Sequence, residues 1–218
     1  MISTDGRVYE KNGKVYVLTN RPPVDNLSDE VEVRWHDSRL RTNEQLRKAF
    51  ALMTYIGDFQ GQSAEGVYEE QRQVFSSKYM DELNGMFFHL STATVSEASM
   101  FIDHCCALII EHGIETDKPI IELCEDIHKA VYVSLLCKRC IVCGRPSDLH
   151  HVDAIGMGYN RDTKPQIGDR VLPLCRVHHQ EWHNIGETAF NSKYHVDPVR
   201  MDERLAKIYL PQKARQSA

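Results

Sequence analysis

The chain has 218 residues, 42% hydrophobic and 26% charged, the balance of an ordinary soluble globular protein with one large or two small domains. No apolar run approaches the roughly 20 residues of a membrane span, and the N-terminal MISTDGRVYEKNGK is polar, so neither membrane anchor nor signal peptide is expected, and the expected location is cytoplasmic. The net charge of −5 is unevenly spread: residues 1–136 carry 13 Lys/Arg against 22 Asp/Glu, and residues 137–218 carry 13 against 9. Only the second part is cationic, as suits a polyanionic substrate.

In chain order, residues 5–20 are expected to form a hairpin, since GRVYE and KVYVLTN flank the turn signal Asn12-Gly13. Arg21-Pro22-Pro23 breaks the pattern, and Glu30 to Trp35 alternates as a third strand with Val31, Val33 and Trp35 on one face. Thr42 or Asn43 can cap a helix to about Ile56, with Leu46, Ala49, Phe50, Met53 and Ile56 at helical spacing and Gly57 and Gly61 ending it. A less cleanly amphipathic helix runs from about Ala64 to Met80, with Val67, Gln71, Val74, Phe75 and Met80 inward. Thr94-Val-Ser-Glu97 is a capping box, and its helix places Ala98, Phe101, Ile102, Cys105, Leu108 and Ile109 on one side before Gly113 stops it. Lys118-Pro119 opens another helix, with Ile120, Cys124, Ile127, His128, Val131 and Leu135 inward. Residues 1–136 therefore read as a small sheet followed by about four helices, with a boundary near Leu136, where helical periodicity yields to a cysteine cluster.

That cluster opens the stretch Cys140 to His183, which concentrates metal-binding residue types. Seven cysteines are an odd number, four of them fall between 137 and 175, and in a reducing compartment such a cluster points to metal rather than disulfides. Structural zinc takes four tetrahedral Cys/His ligands, commonly as two closely spaced pairs. Cys140-x2-Cys143, followed by Gly144 for the tight turn, is one pair, and Cys175-x2-His178 is the other. Cys137-x2-Cys140 competes but lacks the glycine and sits at an expected helix end, so Cys137 reads as a buried or spare thiol.

A second set is made of histidines. Val152 to Gly156 suits a strand ending in a glycine turn, and Val171 to Leu174 is a short apolar run. From Cys175 the pattern is helical, so His179 and His183, four apart, share one face. With one imidazole from the neighbouring strand they make a three-ligand site with open positions, as a catalytic metal needs. Gly186 is expected to end this helix, with short helices at 187–194 and near 201–210 and a tail at 211–218.

These residues resemble the HNH endonucleases of the ββα-metal fold, in the zinc-stapled form. The resemblance implies that His151 is the general base activating water and that His150, His179 and His183 hold the divalent metal beside the scissile phosphate. Mg²⁺ or Mn²⁺ is the implied catalytic ion, with Zn²⁺ or Ni²⁺ able to occupy the site, and Zn²⁺ the structural one. Adjacent strand residues point to opposite sides, so His150 and His151 can serve one site only if the strand is bent or bulged. The family's middle asparagine, which braces the loop and orients the base, is replaced by Arg170, with Asp169 or Asn160 as substitutes to consider. The loop from Gly156 to Arg161 and the helix LCRVHHQEWHNIG are similar to those of phage-encoded HNH nucleases. Arg161 is then a candidate catalytic contact to the phosphate or leaving group, or an incidental arginine in a Gly-rich turn, and Arg176 can equally hold DNA backbone.

Val31 to Ile56 resembles the start of the NinB-type phage recombination proteins, over residues 30–100. That resemblance implies single-stranded DNA binding and assistance to recombinases. Arg34, His36, Arg39, Arg41, Arg47 and Lys48 form a basic stretch around Trp35, and Arg34, Arg39 and Arg41 are the candidate DNA contacts. The acidic balance of residues 1–136 suits a protein partner equally well.

The expectation is an α+β protein in two domains. Residues 1–136 form a NinB-like sheet-plus-helices domain, and residues 137–218 form a ββα-metal (HNH) domain with a structural zinc. It would nick or cut DNA by metal-assisted hydrolysis in phage recombination or replication. The alternative is a zinc-containing DNA-binding accessory protein without catalysis. Expected partners are single-stranded or branched DNA, a host or phage recombinase or single-strand-binding protein, and a second copy of the chain.

Overall fold

The computed structural model describes residues 6–11, 14–19, 39–153 and 166–210. The chain divides into two compact units, residues 1–36 and 37–218. In the first, strands β1 (Gly6–Lys11) and β2 (Lys14–Thr19) pair antiparallel from Gly6↔Thr19 to Lys11↔Lys14, the register of the expected hairpin. The third strand expected at Glu30–Trp35 lies outside the described residues.

The second unit begins with three helices, α1 (Asn43–Gln60), α2 (Ala64–Lys78) and α3 (Val95–His112). Thr42 and Thr94 cap α1 and α3 with complete capping boxes, so short-range hydrogen bonding starts both helices where expected. Gly57 does not end α1. The helix continues to Gln60, and a Cβ at 57 would lie 2.6 Å from the Gln62 carbonyl oxygen, so glycine is there for a close backbone approach. Leu52, Met53, Ile56, Val67, Phe75, Phe101 and Ile102 are buried, with the Phe75 ring 4.8 Å from Phe88 and 5.3 Å from Phe101. Phe50, Val74 and Met80, expected inward, are exposed.

The helix expected after Pro119 is broken in two, α4 (Ile120–Leu123) and α5 (Ile127–Leu136). Buried Asp103 of α3 causes the break. Its Oδ1 accepts the Glu125 amide at 2.8 Å and the Asp126 amide at 3.1 Å, and Asp126 then caps α5. The break turns His128 out to solvent rather than inward.

A three-stranded antiparallel sheet follows, in the order β3 (Asp148–His151), β4 (Arg170–Leu174), β5 (Val199–Arg200). Helices α6 (Arg176–Ile185) and α7 (Glu187–Tyr194) lie between β4 and β5, and α8 (Glu203–Tyr209) ends the described chain. Helix α8 docks on α5: Tyr132 donates to Asp202 at 2.6 Å and Tyr209 to the Leu135 carbonyl at 2.6 Å. The buried core therefore runs across position 136, from Val131 and Leu135 to Ile141, Leu172, Phe190 and Leu205, within one compact unit.

One buried group gives this unit a pH dependence. His104 of α3 is 3% exposed, with Nε2 3.2 Å from the Gln71 amide oxygen. Burial, with the charges of Lys78 and Lys129, pushes its pKa down to about 4. Above the unfolded-state value of 6.5 both states are neutral and stability is complete. As pH falls towards 4 the unfolded chain takes up a proton that the folded chain refuses, and stability is lost. Urea unfolding should show a loss of roughly 2 kcal/mol between pH 6.5 and pH 5 from this group. His104→Leu should flatten that part of the profile, and an unchanged slope would refute the assignment.

Candidate functional site

Four ligand-type atoms converge behind the sheet. A short knuckle leaves α5, closes through the bridge Arg139↔Pro146, and carries Cys140 and Cys143. Its turn is held by Gly144 donating to the Cys140 carbonyl at 2.8 Å, with Gly144 in the left-handed region at φ 66°. Ile141 donates to the Pro173 carbonyl at 3.1 Å, which fixes the knuckle to β4. Cys175 caps α6, and His178 occupies its first turn. The Cys140 and Cys175 sulfurs lie 3.4 and 3.3 Å from His178 Nδ1, and Cys143 Sγ lies 3.7 Å from Cys175 Sγ. Zinc bonds of about 2.3 Å to sulfur and 2.0 Å to nitrogen, at tetrahedral angles, set neighbouring ligand atoms roughly 3.5–3.8 Å apart. The cluster fits that tetrahedron.

The protonation states follow the surroundings. Burial pushes the Cys140 thiol up to about 12. Burial acts the same way on Cys143, but hydrogen bonds from Arg145, whose Nε lies 3.4 Å from the sulfur, and from Cys175 and Cys140 outweigh it and hold that thiol below its usual value. A bound cation favours the thiolate at all three cysteines, as ligation requires. Cys137 is a half-buried free thiol and stands outside the cluster.

The second cluster faces α6 from β3. His150 pairs opposite Leu172 and turns its ring inward, with centroids 4.6 Å from His179, 5.4 Å from His183 and 4.2 Å from Trp182. His179 and His183, one turn apart, approach to 3.3 Å between their Nε2 atoms. One nitrogen from each of the three lies within 4.8 Å of the others. His150 is 2% exposed, and its buried Nε2 has no hydrogen-bond partner among the described residues. Burial, with the neighbouring His179, His183 and His151, pushes its pKa down to about 3, so its imidazole is neutral and free to donate a lone pair. His183 is exposed, which leaves one side of the cluster open. Three imidazoles with an open side fit a divalent cation that keeps exchangeable positions.

His151, the last residue of β3, is half-buried and is not among the three converging histidines. The register passes residue for residue through His150↔Leu172 and His151↔Val171, so the paired strand carries no bulge at these two positions. The chain leaves the sheet just beyond, after the Val152 amide has donated to the Arg170 carbonyl at 2.9 Å. Arg170 lies between two carboxylates: its Nη2 is 2.9 Å from Asp153 Oδ1 and its Nη1 is 2.6 Å from Glu187 Oε1. Partial burial raises the Asp153 pKa, but hydrogen bonds from the Arg170 backbone and side chain outweigh it, so the carboxyl is held below its usual range.

The arginines expected to contact DNA are placed unequally. Arg34 and Arg161 lie outside the described residues, as does Asn160. Arg39 and Arg176 are exposed. Arg41 is half-buried, and its Nε donates to the Leu90 carbonyl at 2.6 Å, so its guanidinium braces the loop before α3. Three neighbours of the site were not singled out from sequence. Trp182 packs on His150, and Asp153 and Glu187 hold Arg170. Trp182 directly precedes a ligand-type histidine, which is a faint signal, whereas the Asp153 and Glu187 contacts leave none.

A strand pair leading into a helix, a Cys3His cluster at that helix's first turn and three histidines shared between strand and helix define a ββα-metal domain of the HNH type. A family model described as "Putative HNHc nuclease" matches residues 18–211. The chain belongs to that family. No curated protein and no solved structure matches it.

Proposed function

We propose that this protein nicks or cuts DNA by metal-assisted hydrolysis of the phosphodiester bond. The convergence of His150, His179 and His183, open on one side and carried by a zinc-stapled helix, is the observation that supports this reading. A Mg²⁺ or Mn²⁺ ion held by these three imidazoles would stabilise the charge developing on the phosphate and the leaving oxygen. His151 takes the proton from the attacking water, the general-base role that imidazoles most often fill. Cys140, Cys143, Cys175 and His178 hold Zn²⁺ and so fix α6 against the knuckle. Arg161 meets the phosphate or leaving group, and Arg176, exposed in the first turn of α6, meets the DNA backbone. The resemblance of residues 30–100 to NinB-type proteins supports a role in phage recombination or replication, in which the N-terminal part, with Arg34 and Arg39, meets single-stranded DNA or a recombinase.

Incubation with supercoiled plasmid in Mg²⁺, in Mn²⁺ and in EDTA tests the proposal. Relaxed or linear product with either metal, and none in EDTA, is the expected result. Binding to DNA without cleavage in every condition would overturn it and favour a zinc-containing DNA-binding accessory protein.

A further inference from the structure

Arg170 is the first residue of β4, and its contacts run in two directions. Towards β3, its amide donates to Asp153 Oδ2 at 2.7 Å and its Nε to Asp153 Oδ1 at 3.0 Å. Its carbonyl accepts the Val152 amide. Towards the helices, its Nη1 donates to Glu187 Oε1 at 2.6 Å. Asp153 lies two residues beyond His151, and Glu187 lies four beyond His183, just after Gly186 has closed α6. One side chain thus ties together the exits of the two segments that carry the histidines.

The network is poorly suited to a large stability role. The Arg170, Asp153 and Glu187 side chains are 38%, 36% and 35% exposed, and ion pairs in such surroundings add little to global stability. Placement is a different matter. A misplacement of about 1 Å at a reacting group can cost about a hundredfold in rate. Among the described residues the last backbone bond of this strand pair is Val152 to Arg170, and beyond it the guanidinium adds its hold on Asp153 to the one made by the Arg170 amide.

We infer that Arg170 is a positioning residue for the cleavage reaction, its two-sided ion pair with Asp153 and Glu187 fixing the strand end that carries His151 against the start of α7, directly after the helix that carries His179 and His183. This rests on the nuclease reading above. A planar guanidinium spans both carboxylates, whereas a lysine presents one point charge and can satisfy only one of them well.

The test compares Arg170→Met, Arg170→Lys, Asp153→Asn and the Arg170→Met/Asp153→Asn double variant, all in the full chain. Plasmid nicking at saturating Mn²⁺ gives kcat and KM, zinc content is measured, and amide hydrogen exchange is followed over residues 148–153 and over the knuckle. Arg170→Met should lower kcat about ten- to hundredfold with KM and zinc content unchanged, and Arg170→Lys should fall between it and wild type. The double variant should be no worse than Arg170→Met, because both changes break one link. Exchange should quicken at 148–153 and not in the knuckle.

A kcat within about threefold of wild type in Arg170→Met, or single effects that multiply in the double variant, would overturn the inference. Loss of zinc with exchange quickening everywhere would also overturn it, since that is a general stability role. Should Arg170→Met not fold, Asp153→Asn carries the same decision: a lower kcat with local exchange supports the brace, and an unchanged kcat refutes it. An uncleaved plasmid with wild-type protein would bring down the nuclease reading instead, and the exchange data would still report separately whether Arg170 holds the strand end.

Discussion

His151→Ala should abolish cleavage, with a fall of about 10²–10⁴-fold in single-turnover nicking, while zinc content and the circular dichroism spectrum stay those of wild type. The strand pairing survives this substitution for a structural reason. His151 is half-buried at the end of β3, and its pairing with Val171 is made by backbone, which alanine retains. Its ring is not one of the three imidazoles that converge in the second cluster. His150→Ala would be a poorer test, because that ring is buried against Trp182 and its removal combines lost ligation with a cavity. Nicking at the wild-type rate by His151→Ala would sink the assignment of the general base.

Cys143→Ala should release the zinc and unfold the region from the knuckle through α6. Helix α6 has no fully buried residue of its own, so its attachment depends on ligands and half-buried contacts rather than on an apolar face. With zinc bound, the four ligands would cross-link the knuckle to the start of that helix, and structural zinc in small domains contributes apparent binding energies of about 10–16 kcal/mol. Cys143 is the exposed member of the set, so alanine there removes little packing and isolates the loss of metal. Metal analysis and a thermal melt read the outcome, and amide exchange localises it. Protection should fall across residues 139–186 and persist in α1 and α3, whose core is built around Phe75 and Phe101. A variant with full zinc and an unshifted melt would show that the cluster is not a structural zinc site.

Much of this molecule is written in short-range patterns. The spacing of Cys140 and Cys143 with Gly144 behind them, of Cys175 and His178, and of His179 and His183 predicts two separate clusters, and the same two sets converge in space. The capping box at Thr94 places one helix start to the residue, and Thr42, one of the two cap candidates, starts another. Such features are legible because the interacting groups lie within a turn or two of each other, and backbone geometry alone brings them together.

Other features depend on partners that no local pattern names. Helical periodicity carries straight through Cys124 to Asp126, yet the helix breaks there, because the Asp103 carboxylate captures two amides from another element. Gly57 reads as a helix end until the returning Gln62 carbonyl shows why a Cβ is excluded. Arg41 reads as a free DNA contact until its Nε is seen to donate to the Leu90 carbonyl. Local patterns name the residue types able to hold two metals and the places where most elements begin. That Arg170 joins Asp153 to Glu187 and that Trp182 packs on His150 follows from packing alone, because charges and rings meet across the fold according to how strands and helices pack, and sequence distance does not encode that packing.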